Sequence, residues 1–459
     1  MGQLDEEVPV KEVTREELLR KADKPNKDAM RLHPFYQGKL QTALKCAIRD
    51  FHDFAIWYTP GVAKPCLDIA ENPSQVFEHT NKGNTIAVVT DGTRVLGLGD
   101  IGPEAALPVM EGKGILFKYL GGIDAVPICL DTKDPDTFIE TVKLLQPSFG
   151  GINLEDIANP KCFYILDRLR AEMDIPVWHD DQQGTASIEL AGVINALKIV
   201  GKDLKKATYC IIGSGAANVA LVRIMITAGV PPEHIIMTDS KGILYRDRED
   251  LEKNKARNPY KWDFACRTNG ENRTGGIKEA MEGVDVVVAA SKPGPDVIKK
   301  EWIASMNKDS IVFVVANPVP EIWPWEAKEA GARIVGTGRS DFPNQINNSI
   351  GFPGIFRGTL DVRAKTITDE MAITAAYAIA ETAEKKGLRE DYVVPTMDEW
   401  EVFINQAEAV GLKAIEQGIA RRPLTADQIR ELAYERIKKS RDYVTVCQNN
   451  GLIPMPPEE

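Results

Sequence analysis

At 459 residues the chain is too long for one ordinary hydrophobic core, so two or three domains are expected. Its composition, 43% hydrophobic and 27% charged, is that of a globular protein, and a net charge of −11 argues against a nucleic-acid-binding surface. An apolar run of about 18 residues, enough to span a membrane, is missing; the charged start Met1–Lys27 lacks a signal core, and seven scattered cysteines without a C-x-x-C pair fit reduced thiols, so a cytoplasmic location is expected.

In chain order, residues 1–30 mix acids and bases and read as partly helical. Gln41 to Phe54 reads as a helix. Tyr58 stands just before a Thr59-Pro60-Gly61 turn, at the end of an element. Its phenol faces a cleft there, or packs with its hydroxyl satisfied, the more ordinary use of a tyrosine. Thr85 to Thr90 is a strand and Asp91-Gly92 a turn. Arg94 leads into Val95 to Asp100, a glycine-rich stretch read as a strand whose Gly97 and Gly99 admit a close neighbour or ligand. The planar fork of Arg94 matches a carboxylate, and a surface ion pair is the plain alternative. Pro103 to Tyr119 is a helix containing Glu111-Gly112-Lys113-Gly114. Small neighbours leave Lys113 uncrowded; a desolvated lysine has a lowered pKa and can serve as a base, although most lysines are merely solvated. Asp124 to Asp131 is a further strand.

Gly151 to Thr185 holds the densest chemistry. An apolar approach ends at Glu155-Asp156, a helix runs through Cys162, Phe163, Leu166, Leu169 and Met173, and a second apolar approach ends at Asp180-Asp181. Asn159-Pro160 suits an N-cap with proline at the first helical position. In a parallel βαβ unit both strands point the same way, so the two acidic pairs share one sheet edge, where α/β proteins bind ligands. Four carboxylates held together repel one another, and all-oxygen ligation suits a hard cation, Mg²⁺ or Mn²⁺. Loop solvation or helix capping is the bland reading of the same residues.

Gly184 to Val200 is an apolar helix leading to a second unit. Lys206 to Ile212 is a strand, followed by Gly213-Ser214-Gly215-Ala216-Ala217-Asn218, an apolar helix, and a strand ending at Asp239. This strand, G-x-G-x-x-N, helix, strand, acid order points to a dinucleotide: glycines admit the pyrophosphate at a helix N-terminus, and the acid binds a ribose diol. Asn218 stands where the fingerprint has its third glycine. Asp239 disfavours a 2′-phosphate and Lys241 counters it, so NAD or NADP is expected, with NAD favoured. Strands at Asp285–Ala290, Ile311–Val315 and Arg333–Gly336 extend the sheet. Ser291 and Asn317 follow the first two at polar turns; Asn317 either bonds a ligand or makes an Asx turn. Asn347 and Asn348 line a Gly- and Pro-rich loop, and amphipathic helices run from Thr368 onward.

Tyr-Thr-Pro-Gly-Val-Ala at 58–63, Arg-Val-Leu-Gly-Leu-Gly-Asp at 94–100, Glu-Gly-Lys at 111–113, Leu-Glu-Asp-Ile at 154–157, Asp-Asp-Gln-Gln-Gly-Thr at 180–185, Ala-Asn-Pro at 316–318 and Asn-Asn with Phe-Pro-Gly at 347–354 together resemble the malic enzymes, in particular the shorter prokaryotic type. The resemblance runs from about Phe51 to Asp361. It implies oxidative decarboxylation of L-malate to pyruvate and CO₂ with NAD or NADP and a divalent metal. It also implies Tyr58 as general acid, Lys113 as general base oriented by Asp180, and Arg94 gripping a malate carboxylate. Glu155, Asp156 and Asp181 would then be metal ligands, with Asn317 and one of Asn347 and Asn348, Asn348 favoured, as substrate amides. On the cofactor side stand Gly213 to Asn218, Asp239, Ser291 and Asn317. The fold class expected is α/β: a catalytic domain over residues 1–181, a Rossmann-type doubly wound parallel sheet over 182–365, and a helical segment over 366–459 packing on both. By the same resemblance a homodimer or higher homo-oligomer is expected, and no appended acyltransferase-like domain. Malolactic conversion to lactate with retained NAD, and a dinucleotide sensor without turnover, are the rival readings.

Overall fold

The computed structural model describes residues 15–457. The expected charged opening, residues 1–14, lies outside the described residues, and a helix spans Arg15–Tyr36.

The first sheet has four parallel strands in the order β2-β1-β3-β4: β1 (Thr85–Thr90), β2 (Asp124–Cys129), β3 (Gly151–Leu154) and β4 (Val177–His179). Ile86 to Val89 of β1 are fully buried, which is why this strand reads as a continuous apolar run rather than an alternating one. Helices Pro103–Gly121, Pro135–Leu144 and Lys161–Glu172 make the crossovers. The first of them begins on Pro103 and ends on left-handed Gly122 (φ 63°), where an added Cβ would lie 2.6 Å from the Arg436 carbonyl oxygen.

The second sheet has six strands in the order β10-β9-β8-β5-β6-β7: β5 (Tyr209–Ile212), β6 (Ile235–Asp239), β7 (Gly242–Ile243), β8 (Val286–Ala289), β9 (Ile311–Val314) and β10 (Ile334–Thr337). All pairs are parallel except β6 with β7. The chain runs outward from β5 to one side and returns to β8 on the other. That reversal opens a crevice at the carboxyl ends of β5 and β8.

The helix Thr185–Ile199 links the sheets and is buried along nearly its whole length, so it is apolar all round. One core runs from Ala87 and Leu154 through this helix to Ile211 and Phe313. Helices Phe352–Asp361, Asp369–Lys386, Glu401–Glu416 and Ala426–Asn449 close the chain, several of their residues packing on the other face of the first sheet. No helix among the described residues is long and apolar enough to cross a membrane.

Three local expectations differ. Gln41 to Phe54 is not a helix; only Asp53–Trp57 is helical. The Asp53 carboxylate takes the Arg49 backbone N–H at 2.7 Å and its guanidinium at 2.6 Å, and Asp50 takes the His52 N–H at 2.8 Å. Such side-chain bonds compete with the helical ladder. Val95 to Asp100 is a tight loop, not a strand. It is closed by Val95 N–H on Gly99 O and Leu98 N–H on Val95 O, both 2.9 Å, with Leu96 and Gly99 at positive φ. Asn159 does not cap the following helix, which starts at Lys161; its amide instead donates to the Ser214 carbonyl at 3.1 Å.

Candidate active site

Leu154 of β3 pairs with His179 of β4, so the next residues of each strand, Glu155-Asp156 and Asp180-Asp181, leave the sheet side by side. Asp156 has a positive φ of 53°, a conformation aspartate tolerates better than most residues. Local bonds hold it there: its N–H donates to Asp181 Oδ2 at 2.8 Å, its Oδ1 accepts the Leu96 N–H at 3.2 Å, and its carbonyl accepts the Arg94 N–H at 3.0 Å. Carboxylate oxygens from Glu155, Asp156 and Asp181 all lie within 4.8 Å of one another. Oxygens that close fit the coordination shell of one hard divalent cation.

Lys113 reaches this corner from the middle of its helix. Its Nζ lies 2.7 Å from Asp180 Oδ2 and 3.1 Å from Glu155 Oε1, and 4.5 Å above the Phe352 ring. Asp180 is fully buried; its Oδ2 also accepts the Asn348 amide at 2.7 Å and its Oδ1 the Trp178 indole at 3.4 Å. The turn Asp180–Gly184 is π-helical, and a Cβ on Gly184 would fall 1.8 Å from Asp180 Oδ1. The glycine is therefore what lets the carboxylate fold over its own turn.

The electrostatics correct one expectation. Burial alone would lower the Lys113 pKa, but Asp180 and Glu155 outweigh it and hold the ammonium above its ordinary value. A lysine gripped by two carboxylates is charged, not a desolvated neutral amine. Burial drives Glu155 well up, with Lys113 opposing and Asp181 adding. Burial and then the Asp181 charge push Asp156 up to about 7. His179, buried with neither ring nitrogen hydrogen-bonded among the described residues, is held down by desolvation.

The remaining predicted residues gather unevenly. Arg94 is exposed beside the corner, its guanidinium donating to the Leu96 carbonyl at 3.1 Å. Its loop touches the second half of the molecule, since a Cβ on Gly97 would stand 3.6 Å from Asn317 O. Asn317 is exposed in the loop after β9, its amide 3.4 Å from Val315 O. Asn347 caps the next turn, accepting the Ser349 N–H at 3.0 Å, while Asn348 is the one on Asp180. Tyr58 is not drawn in: it is 69% exposed, and no hydrogen bond among the described residues joins it to Lys113.

At the crevice Gly213 has φ 103°, and a Cβ there would lie 2.7 Å from the Ala290 carbonyl oxygen, so only glycine fits. Ser214 and Gly215 complete the turn, and Ala216, Ala217 and Asn218 open the helix Ala216–Thr227. Asn218 donates its amide to Ile212 O at 2.8 Å and Gly213 O at 3.0 Å, so the residue replacing a third glycine pins the turn itself. Asp239 is not the free acid expected. Its Oδ2 holds Arg248 at 2.7 Å and Lys261 at 2.6 Å, and its Oδ1 accepts the Lys241 N–H at 2.9 Å. Burial would raise this carboxyl, but the two cations hold it below the usual range. Arg248, Lys261, Trp178 and Phe352 were not singled out from the sequence. Phe352 meets Lys113 across most of the chain and Lys261 meets Asp239 from 22 residues on, whereas Trp178 and Arg248 sit near the acids they touch but carry no chemistry-bearing pattern of their own.

Residues 37–170 match the family model for the N-terminal domain of malic enzyme, and residues 182–415 match that for the malic enzyme NAD binding domain. The chain belongs to the malic enzyme family. It is 49% identical over 404 residues to a bifunctional malic/malolactic enzyme of Bacillus subtilis, covering 88% of this chain and 96% of the relative. It is 41% identical over 404 residues to an NADP-dependent malic enzyme of Halomonas elongata, covering 85% and 93%. The crystal structure of the Entamoeba histolytica malic enzyme superposes with a TM-score of 0.93 at 48% identity, covering 97% of this chain and 93% of that one. The Pyrococcus horikoshii malic enzyme superposes at 0.85 with 48% identity, over 91% and 100%. As a malic enzyme the chain oxidatively decarboxylates malate with reduction of NAD(P)⁺.

Proposed function

We propose that malate is turned over on the Lys113–Asp180 pair, beside a divalent cation held by Glu155, Asp156 and Asp181. The observation that carries this is the convergence of three carboxylate oxygens within 4.8 Å, with Lys113 2.7 Å from Asp180 at their edge. All-oxygen donors suit Mg²⁺ or Mn²⁺, and the chemistry such an ion supplies when bound is Lewis acidity toward a hydroxyl and its neighbouring carboxylate.

Arg94 grips a malate carboxylate through its planar fork, and Asn317 and Asn348 supply amides to the substrate. A nicotinamide held at the Gly213 turn would supply the acceptor for the hydride of C2, and Lys113 Nζ would receive the proton of the 2-hydroxyl. To do so its ammonium first gives up a proton, and Asp180 is the nearest acceptor. After CO₂ departs, Tyr58 protonates C3 of the enol. Asp180 keeps Lys113 aimed, with Asn348 on the same carboxylate oxygen.

Gly213 to Asn218, Ser291 and Asn317 face the cofactor. NAD is the preferred form, because Arg248 and Lys261 are both committed to Asp239 and neither stands free for a 2′-phosphate. Tyr58 rides on an apolar segment with Phe51 (89% exposed), Phe54, Trp57 and Leu67. Exposed apolar surface of that kind marks an association face, so the working unit is a homodimer in which covering this segment puts Tyr58 in dry surroundings. A monomer in sedimentation equilibrium would overturn that part.

The deciding assay follows malate-dependent absorbance with NAD and with NADP, with and without Mn²⁺, and identifies the product. Free NADH and pyruvate, both requiring the cation, are the expected result; turnover indifferent to chelation removes the metal. The name of the Bacillus subtilis relative favours one second reading, malolactic conversion. Lactate with no free NADH would establish it.

A further inference from the structure

Two carboxyl groups outside the acidic corner, Glu189 and Glu321, are wholly buried. Glu321 lies in the chain after β9, and its carboxylate is taken up by loop groups. Oε1 accepts the Ser291 N–H at 2.8 Å and the Ser291 hydroxyl at 3.0 Å, and Oε2 accepts the Ala316 N–H at 3.2 Å. The Glu321 carbonyl accepts the Ile298 N–H at 3.1 Å. One residue thus ties the chain after β8 to the chain after β9, at the carboxyl edge that carries Ser291 and Asn317.

Glu189 comes from a different element, the helix that grows out of the Asp180–Gly184 turn. Gly192 of that helix lies against Phe313 of β9 and Ile346, with a Cβ there 2.9 Å from each. Glu189, three residues earlier, shares this face. Both of its oxygens are sealed from solvent and have no hydrogen-bond partner among the described residues. An ionised carboxylate without a donor is among the costliest groups to bury. Of the two acids, Glu321 has three donors and Glu189 none. Burial pushes Glu189 up to about 8, the Glu321 charge adding to it. Burial pushes Glu321 up to about 7 against the pull of its Ser291 and Ala316 bonds.

We propose that Glu321 is a positioning residue whose three hydrogen bonds set the spacing of the two cofactor-side loops, and that Glu189, sealed from solvent with no donor among the described residues, is proton-bearing. Neither acid touches malate or the reacting atoms. The inference rests on the reading of Ser291 and Asn317 as cofactor-side residues.

The test uses the full chain and NADH fluorescence titration, with malate KM and kcat measured alongside. Glu321→Gln sets an amide N–H₂ against backbone donors, and the NADH Kd rises about tenfold, the effect of one to two lost hydrogen bonds, while malate KM moves less. Glu321→Asp keeps the charge one methylene short and gives an intermediate Kd, which serves if the Gln variant fails to fold. A folded variant of either kind with wild-type Kd overturns the positioning role, even if its Tm has dropped. The infrared difference spectrum between wild type and Glu189→Gln near neutral pH shows loss of a protonated-carboxyl C=O band; no such loss overturns the proton assignment. Wild-type protein that fails to bind NADH overturns the cofactor reading instead.

Discussion

Lys113 contacts Asp180 at 2.7 Å and Glu155 at 3.1 Å, and that geometry decides what each can do. Lys113→Ala should lower kcat by roughly 10²–10⁴-fold, the usual weight of a positioned proton-transfer group; a variant near wild-type turnover would remove the lysine from the reaction. Asp156 and Glu155 both carry pH dependence, and Asp156 sets the part that falls near neutrality. Its folded pKa of about 7 lies above that of an unfolded aspartate. Between those values the folded chain keeps a proton the unfolded chain has lost, so this group's contribution to stability falls as pH rises through the window. A cation bound there must expel that proton, so Mn²⁺ affinity should weaken by about tenfold per pH unit below 7 for this one group. Calorimetric titration at pH 6 and pH 8 measures it, and an affinity flat in pH would take Asp156 out of the ligand set. The grouping of Glu155, Asp156 and Asp181 was legible in the sequence because two acidic pairs end successive strands of a parallel βαβ unit. The charge state of Lys113 was not, since its partners come from two other strands.

At the scale of elements the Asp180–Gly184 turn is the sensitive part. Its backbone admits alanine, yet a Cβ on Gly184 would collide with the Asp180 carboxylate. Gly184→Ala should therefore shift Asp180 off Lys113 and reduce kcat at least about tenfold, or about 1.4 kcal/mol of barrier, with little change in Tm. Wild-type kcat in a folded variant would show that Asp180 does not set the lysine. The strands and main helices were readable from apolar runs and helical spacing. Gln41–Phe54 and Val95–Asp100 were not, because Asp53, Asp50 and Asp156 bind nearby backbone N–H groups, which no periodicity reports.

For the whole molecule, the apolar joint between the C-terminal helices and the first sheet encloses one buried polar cluster. Arg357 grips Asp361 at 2.9 and 2.7 Å, both fully buried, and donates to Asn84 Oδ1 at 2.7 Å, which Arg436 also reaches at 2.9 Å. Removing one member of such a pair strands the other charge, at a cost of about 3–5 kcal/mol. Arg357→Met should lower the denaturant midpoint accordingly, and Arg357→Met with Asp361→Leu should recover most of the loss. If the double variant is no more stable than the single one, the stranded charge is not the cause.

The sequence by itself determined the parallel strands of the two sheets, the acidic corner at the ends of β3 and β4, the Gly213 turn and the family, because each is written in neighbouring residues whose spacing or backbone demands are local. Only the tertiary structure decided that Lys113 is held charged, that Asp239 is bound by Arg248 and Lys261, that Tyr58 stands outside the corner, and that Glu189 is buried with no donor. Each of those depends on which distant side chain shares a space too dry for water to take its place.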